Sequence, residues 1–352
     1  MAIETELVEF GGGDEVRFER MGLAGVITLT RPQALNAVSH RMIKAMTRAL
    51  THWRHDKSVA AVVIKGEGRA FSAGGDLMAI HTSRENPTVD FFADEYRLNA
   101  LIEGYPKPYV ALIDGIVMGG GVGVSCHGSH RIMTENAVFA MPEVGIGFFP
   151  DVGASHLLPD LADNYGLYLG LTGTRVKWGD ALFSGLATHG VKAENLTPLL
   201  ESIAMTGEPE ASLRNFFFMA RRETEREKLA AIDRWFSQPS LEDLFGALEA
   251  DAPNNELAAA TLATMREKSP TSLAVAFREI VACQTMSMAD CVKMEYRIVN
   301  RMLRGHDFYE GIRSVLIDKG DKPKWRPAAH GAVTPREVDS YFREPPGGEL
   351  TL

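Results

Sequence analysis

The stretch YVALIDGIVMGGGVGVSCHG, Tyr109 to Gly128, constrains the fold more than any other part of the chain. It is close to membrane-spanning length, yet it holds Asp114 and six glycines between Gly115 and Gly128. A carboxylate is costly inside a bilayer, and glycine costs a helix interior about 1 kcal/mol relative to alanine. The stretch reads instead as a buried strand, Tyr109 to Asp114, a glycine loop, and the start of a buried helix. The same arrangement occurs earlier, where VAAVVIK, Val59 to Lys65, leads through Gly66 and Gly68 to FSAGGDL, Phe71 to Leu77.

A strand that feeds a glycine loop and then a helix start leaves several backbone N–H groups without carbonyl partners. If one N–H from each loop met at a single point, the pair would form an oxyanion hole for an ester or thioester oxygen. Gly75 and Gly120 are the candidates. Tight turns and close helix packing also call for glycine, so the loops alone do not decide this. A dinucleotide loop is disfavoured, because Gly119, Gly120 and Gly121 lack the G-x-G-x-x-G spacing and Asp114 precedes them.

The segment MPEVGIGFFPD, Met141 to Asp151, sets Glu143 and Asp151 on either side of Gly145, Gly147, two phenylalanines and a proline. An apolar wall raises the pKa of an acid towards the range in which it exchanges protons at neutral pH. Glu143 and Asp151 are therefore candidates for base, acid or nucleophile. Pro142 and Pro150 are equally compatible with a surface turn that leaves both acids solvated.

LTRPQALNAVS at Leu29 to Ser39, FSAGGDL, GIVMGGGVG and MPEVGIGFFPD, in that order, resemble the four signature segments of the crotonase (enoyl-CoA hydratase/isomerase) superfamily. FFPDVG ending at Gly153, SPTSL at Ser269 to Leu273, MEYR at Met294 to Arg297, RGHDFYEGIRSVLIDK and PKWRP are similar to its 3-hydroxyisobutyryl-CoA hydrolase branch. The resemblance runs from about Val16 to Pro327. It implies an α/β fold, a spiral of ββα units followed by a C-terminal helical region, although no repeat is visible in the sequence. It also implies hydrolysis of a short hydroxyacyl-CoA thioester in valine breakdown. The implied roles are an oxyanion hole at Gly75 and Gly120, catalytic carboxylates at Glu143 and Asp151, and a substrate contact at Glu95, in DEYRLN. Glu95 would have to lie on the inner face of its helix, and a solvated helix charge is an equally good reading. No cofactor is implied, since coenzyme A is part of the substrate.

One departure separates the chain from enoyl-CoA hydratases, which resemble it but carry a second glutamate where Gly123 stands. Hydration needs one group to position water and another to deliver its proton, so Gly123 disfavours it and Asp151 favours hydrolysis. Isomerisation, hydration and a non-catalytic scaffold on the same fold are the alternatives.

Composition agrees with a soluble enzyme. The 352 residues are 45% hydrophobic and 24% charged, enough for a sizeable core in more than one part. A net charge of −9 argues against nucleic acid or an anionic membrane as a partner, so the CoA phosphates must meet local basic groups or helix N-termini. Cys126, Cys283 and Cys291 form no C-x-x-C pair and suit a reducing compartment. His127 and His130 lack nearby partners for a metal site, and none is expected. No G-x-S-x-G elbow is present. The opening MAIETELVEF is acidic where a targeting signal would be basic, which leads to a cytoplasmic expectation.

Along the chain, Val16 to Glu19 and Val26 to Thr30 read as strands. Ser39 is a plausible cap for a helix with Met42, Met46, Leu50 and Trp53 on its core face. From about Glu194 helical patterns dominate, with Leu273, Ala276, Phe277, Ile280 and Val281 on one face. The expected division is a core at 1–193, a helical region at 194–327 and an irregular tail at 328–352; the resemblance implies that helices near the C-terminus close the acyl pocket or build a homo-oligomer interface. ARRETEREK, Ala220 to Lys228, reads as a solvated helix face.

Overall fold

A computed structural model describes residues 3–352 of the chain. The strands are β1 (Thr5–Leu7), β2 (Val16–Met21), β3 (Ala24–Leu29), β4 (Ala61–Gly66), β5 (Ala70–Ser72), β6 (Tyr109–Ile113), β7 (Ile116–Met118), β8 (His130–Met133), β9 (Val138–Ala140), β10 (Val176–Lys177) and β11 (His189–Gly190). The helices that bear on the site are α1 (His40–His55), α2 (Leu77–Thr82), α3 (Asp90–Glu103), α4 (Gly120–Gly123) and α5 (Ala154–Leu157). Further helices occupy the C-terminal part and are given by residue range.

The chain forms two compact units. One comprises the segment up to Gly75 together with Asp94–Phe139 and Val176–Glu223; the other comprises Asp76–Ala93, Ala140–Arg175 and Thr224–Leu352. Both units draw on separated stretches of sequence, so composition along the chain does not mark their limits.

The first unit holds two sheets, ordered β1-β2-β3-β4-β6-β8-β11 and β10-β9-β7-β5. From β4 to β9 the chain lays one strand in the first sheet and the next in the second, turn after turn, which is the spiral expected from the resemblance. The pairs β3–β4, β4–β6, β6–β8, β8–β11 and β5–β7 are parallel. Parallel strands covered on both faces need continuous apolar runs. β3 and β6 are buried at every residue, as their sequences AGVITL and YVALI require.

The connection from β3 to β4 runs through α1. Ser39 caps it by accepting from the Met42 N–H at 3.2 Å, and its hydroxyl also bonds Glu15. Met42, Met46, Leu50 and Trp53 are all fully buried, because their spacing of three to four residues keeps them on one face.

The second unit is helical. The helix Pro270–Ala282 buries Leu273, Ala276, Phe277 and Ile280, but Val281 is 40% exposed and stands off that face. Two further expectations need correction. ARRETEREK is not one helix face, because the helix begins at Arg226, and Glu223 accepts from the Gly179 and Asp180 N–H groups at 3.2 and 2.6 Å. The tail contains the helix Pro335–Tyr341, closed by a capping box in which Thr334 and Glu337 bond each other's backbone. Glu349 also pairs with Arg297 at 2.8 Å, and Leu350 is 3% exposed.

Ser39→Ala removes both the cap and the bond to Glu15. It is expected to destabilise the protein by about 1–2 kcal/mol, read from the urea midpoint, with the far-ultraviolet spectrum retained. An unshifted midpoint would mean that the cap contributes nothing.

Candidate active site

Gly75 and Gly120 both belong to the sheet-bearing unit, and the backbone reaches each in the same way. Gly74 precedes one at φ +115° and Gly119 precedes the other at φ +46°, conformations that residues with a Cβ rarely adopt. A residue in this region turns the next peptide out of the strand direction. The loop before Gly75 is stitched from LTRPQALNAVS. Asn36 donates to the Glu67 and Ala70 carbonyls at 2.8 Å, and the Val38 N–H donates to the Gly74 carbonyl at 2.8 Å. Gly120 opens α4, so its N–H has no carbonyl in its own helix.

The two glycines and Glu95 border one small space. A Cβ built on Gly120 would stand 3.2 Å from the Gly75 nitrogen and 2.7 Å from Oε1 of Glu95. Glu95 sits on α3 and is 2% exposed, so it lies on the inner face of its helix and is not a solvated charge.

Glu143 and Asp151 belong to the helical unit. Glu143 begins a short 3-10 turn, Glu143–Ile146, closed by Gly147 at φ +69°. It is 6% exposed and Asp151 is 5% exposed, which rules out the solvated surface turn. Oε2 of Glu143 has no hydrogen-bond partner among the described residues. Burial, and next the charge of Asp151, pushes the Glu143 pKa well above the ordinary 4.5. Phe148 and Phe149 lie between the two acids in the sequence, and the Phe148 ring is 4.7 Å from Phe149, 4.5 Å from Phe308 and 5.7 Å from Phe92.

Two more acids are buried in this unit, and sequence reasoning missed them. Glu279 and Glu295 are both fully buried; burial comes first in pushing each pKa up, and Asp151 contributes to both. A signal was present. Glu279 interrupts the apolar stripe of the helix Pro270–Ala282, and Glu295 stands between Cys291 and Ile298 on the buried face of the helix Met288–Met302.

Cys126 and His130 have ordinary settings. Burial pushes the Cys126 thiol up, away from a nucleophilic thiolate. His130 Nε2 lies 3.1 Å from Glu210, and His130 Nδ1 bonds Ser129 at 2.9 Å. Among the described residues no cluster of His, Cys, Asp and Glu is arranged to hold a metal ion.

The raised pKa of Glu143 makes a prediction about stability. Above pH 4.5 the unfolded chain releases a proton that folded Glu143 retains, so the stability this group contributes is present at low pH. It is lost as pH rises through the folded pKa. Glu143→Gln cannot ionise and escapes that loss, so its Tm is expected to gain on wild type as pH is raised from about 4.5 towards the folded pKa. A Tm that falls relative to wild type over that range would contradict this.

The enoyl-CoA hydratase/isomerase family model matches residues 24–342. The chain is 43% identical to the 3-hydroxyisobutyryl-CoA hydrolase, mitochondrial, of Danio rerio, over 97% of this chain and 92% of that one. It is 38% identical to the Homo sapiens protein of the same name, over 94% and 89%. Among solved structures it is similar to a carnitinyl-CoA dehydratase from Mycobacterium thermoresistibile, with a TM-score of 0.88 and 37% identity over 99% of this chain and 98% of that one. An enoyl-CoA hydratase from Rhodobacter sphaeroides 2.4.1 gives a TM-score of 0.86 and 36% identity over 96% and 100%. With matches of this extent, on an α/β spiral whose strands lead to paired glycine loops, the chain belongs to the enoyl-CoA hydratase/isomerase (crotonase) family.

Proposed function

We propose that this chain hydrolyses the thioester of 3-hydroxyisobutyryl-CoA, and of the similar 3-hydroxypropionyl-CoA, to the free hydroxy acid and CoA. The observation that carries this is the pair of buried acids Glu143 and Asp151, in a chain that matches proteins named for that reaction over nearly its whole length. In this reading the thioester oxygen accepts from the N–H groups of Gly75 and Gly120, which stabilise negative charge as it develops. Ionised Glu143 either deprotonates a water that attacks the carbonyl carbon, or attacks it directly to form an anhydride that water then opens. In both routes the carbon–sulfur bond breaks and the CoA thiolate leaves. Asp151 binds the 3-hydroxyl or protonates the departing sulfur, and Glu95 contacts the substrate. The chemistry calls for no cofactor or metal, and a place in valine breakdown follows from the substrate.

Hydration or dehydration of an enoyl-CoA is the second reading, favoured by the names of the two similar solved structures. Gly123, which leaves α4 without a second acid, supports hydrolysis instead. A cytoplasmic location rests on the acidic opening residues alone, and the hydrolase relatives are named as mitochondrial proteins. Among the described residues no helix is long and apolar enough to cross a membrane.

Thiol release, followed with a thiol-reactive dye, is to be compared between 3-hydroxyisobutyryl-CoA and 3-hydroxypropionyl-CoA, with crotonyl-CoA monitored for loss of its conjugated absorbance. Rapid release with crotonyl-CoA unchanged is expected; hydration without release would overturn the assignment. Glu143→Gln and Asp151→Asn are each expected to lower kcat by ~10²–10⁴-fold, with the fold retained. Gly120→Ala would push a methyl group into the space beside Gly75 and Glu95. Its kcat is expected to fall by ~10²–10³-fold, and an active Gly120→Ala enzyme would exclude the oxyanion hole.

A further inference from the structure

Asp151 is followed by two left-handed residues, Val152 at φ +59° and Gly153 at φ +78°, before α5 begins. A β-branched residue rarely takes a positive φ, and such a conformation persists only where the surroundings enforce it. Nothing local does so from the usual capping position, since Gly153, the residue before α5, has no side chain to bond the first turn. The missing acceptor comes from a distant part of the sequence.

Glu295, on the helix Met288–Met302, reaches this turn. Its Oε1 accepts from the Ser155 hydroxyl at 2.5 Å, the Ser155 N–H at 3.3 Å and the Gly153 N–H at 3.1 Å, while Oε2 accepts from the Gly153 N–H at 2.9 Å. Glu295 and Ser155 are both fully buried, so water cannot replace these bonds. In each of these bonds the Glu295 side chain is the acceptor, which suits a carboxyl oxygen facing two N–H groups and a hydroxyl. Glu279 offers a contrast in the same neighbourhood. It is equally buried, but neither of its oxygens has a hydrogen-bond partner among the described residues.

We propose that Glu295 is a positioning residue for the reaction, holding the left-handed turn at Val152 and Gly153 and thereby the aim of the Asp151 carboxylate. The inference rests on the assignment of Asp151 to the reaction. Glu295→Gln keeps the size of the side chain but replaces one acceptor with an N–H group that faces other donors. The turn then loses bonds whichever way the amide is oriented.

The test is kcat and KM for thiol release from 3-hydroxyisobutyryl-CoA in Glu295→Gln, Asp151→Asn, the double variant and Glu279→Gln, beside wild type. Glu295→Gln is expected to lower kcat by ~10–100-fold, with KM within about threefold. Added to Asp151→Asn, the same change is expected to cost less than about threefold, because the group it positions is already gone. Glu279→Gln makes no bond to the turn and should stay within about threefold of wild type. An equal loss from Glu295→Gln in both backgrounds would overturn the proposal, as would full kcat in Glu295→Gln or an equal loss in Glu279→Gln. High activity in Asp151→Asn would instead overturn the role of Asp151. If Glu295→Gln does not fold, Ser155→Ala removes only the hydroxyl donor. A several-fold loss of kcat that disappears beside Asp151→Asn is then expected, and a loss that persists would count against positioning.

Discussion

The burial of four carboxyl groups in the helical unit is the constraint on which the rest of this account depends. Glu143, Asp151, Glu279 and Glu295 are each at most 6% exposed. An ionised carboxylate taken from water costs several kcal/mol unless donors or a bound proton compensate it. Three of them differ in how they meet that cost. Glu295 collects the N–H groups of Gly153 and Ser155 and the Ser155 hydroxyl, whereas Glu279 has no donor; burial pushes the pKa of both upwards. Glu143 has one oxygen without a partner, and its pKa is driven up first by burial and then by Asp151. One pKa unit corresponds to about 1.4 kcal/mol between the protonated and ionised forms, so this arrangement gives up stability for a raised proton affinity.

The sheet-bearing unit solves a different problem with backbone alone. A backbone N–H donor is lost only to proline, so what the sequence must otherwise protect is its direction and the space before it. Gly74 and Gly119 provide the direction through left-handed backbone, and Gly120 provides the space by having no Cβ. Asn36 and Val38 fix the loop from outside by bonds to the Glu67, Ala70 and Gly74 carbonyls. Parallel strands with apolar residues on both faces frame this scaffold, which suits the oxyanion hole we propose, whose donors must be set before the charge appears.

How much of this was legible in the sequence depended on the range of the interactions. The α1 stripe of Met42, Met46, Leu50 and Trp53, with Ser39 as its cap, is a local pattern and could be read directly. So could β3, β4 and β6, whose apolar runs are short and unbroken. The burial of Glu95 was open, because a single acid on a helix gives no indication of which face it occupies. Val281 was placed on the wrong face because it adjoins Ile280 in an apolar run, although neighbouring helical residues point about 100° apart. Glu223 lay in a stretch read as a solvated helix face and Glu349 in a tail read as irregular, yet they bond groups about 44 and 52 positions away. The grip of Glu295 on Gly153 spans 142 positions, and no local pattern contains it. The helix Pro335–Tyr341 could have been found, since Thr334, Pro335 and Glu337 spell a capping box.

The most direct test of the account is a titration of the Glu143 side-chain carboxyl by ¹³C NMR in glutamate-labelled protein, with the signal assigned by its absence from Glu143→Gln. The account predicts a midpoint well above 4.5 that falls towards that value in Asp151→Asn, as one like charge is removed, but does not reach it because the larger effect of burial remains. A midpoint at or below 4.5, unmoved by Asp151→Asn, would show that Glu143 is neither desolvated nor near a second acid, and would contradict the account.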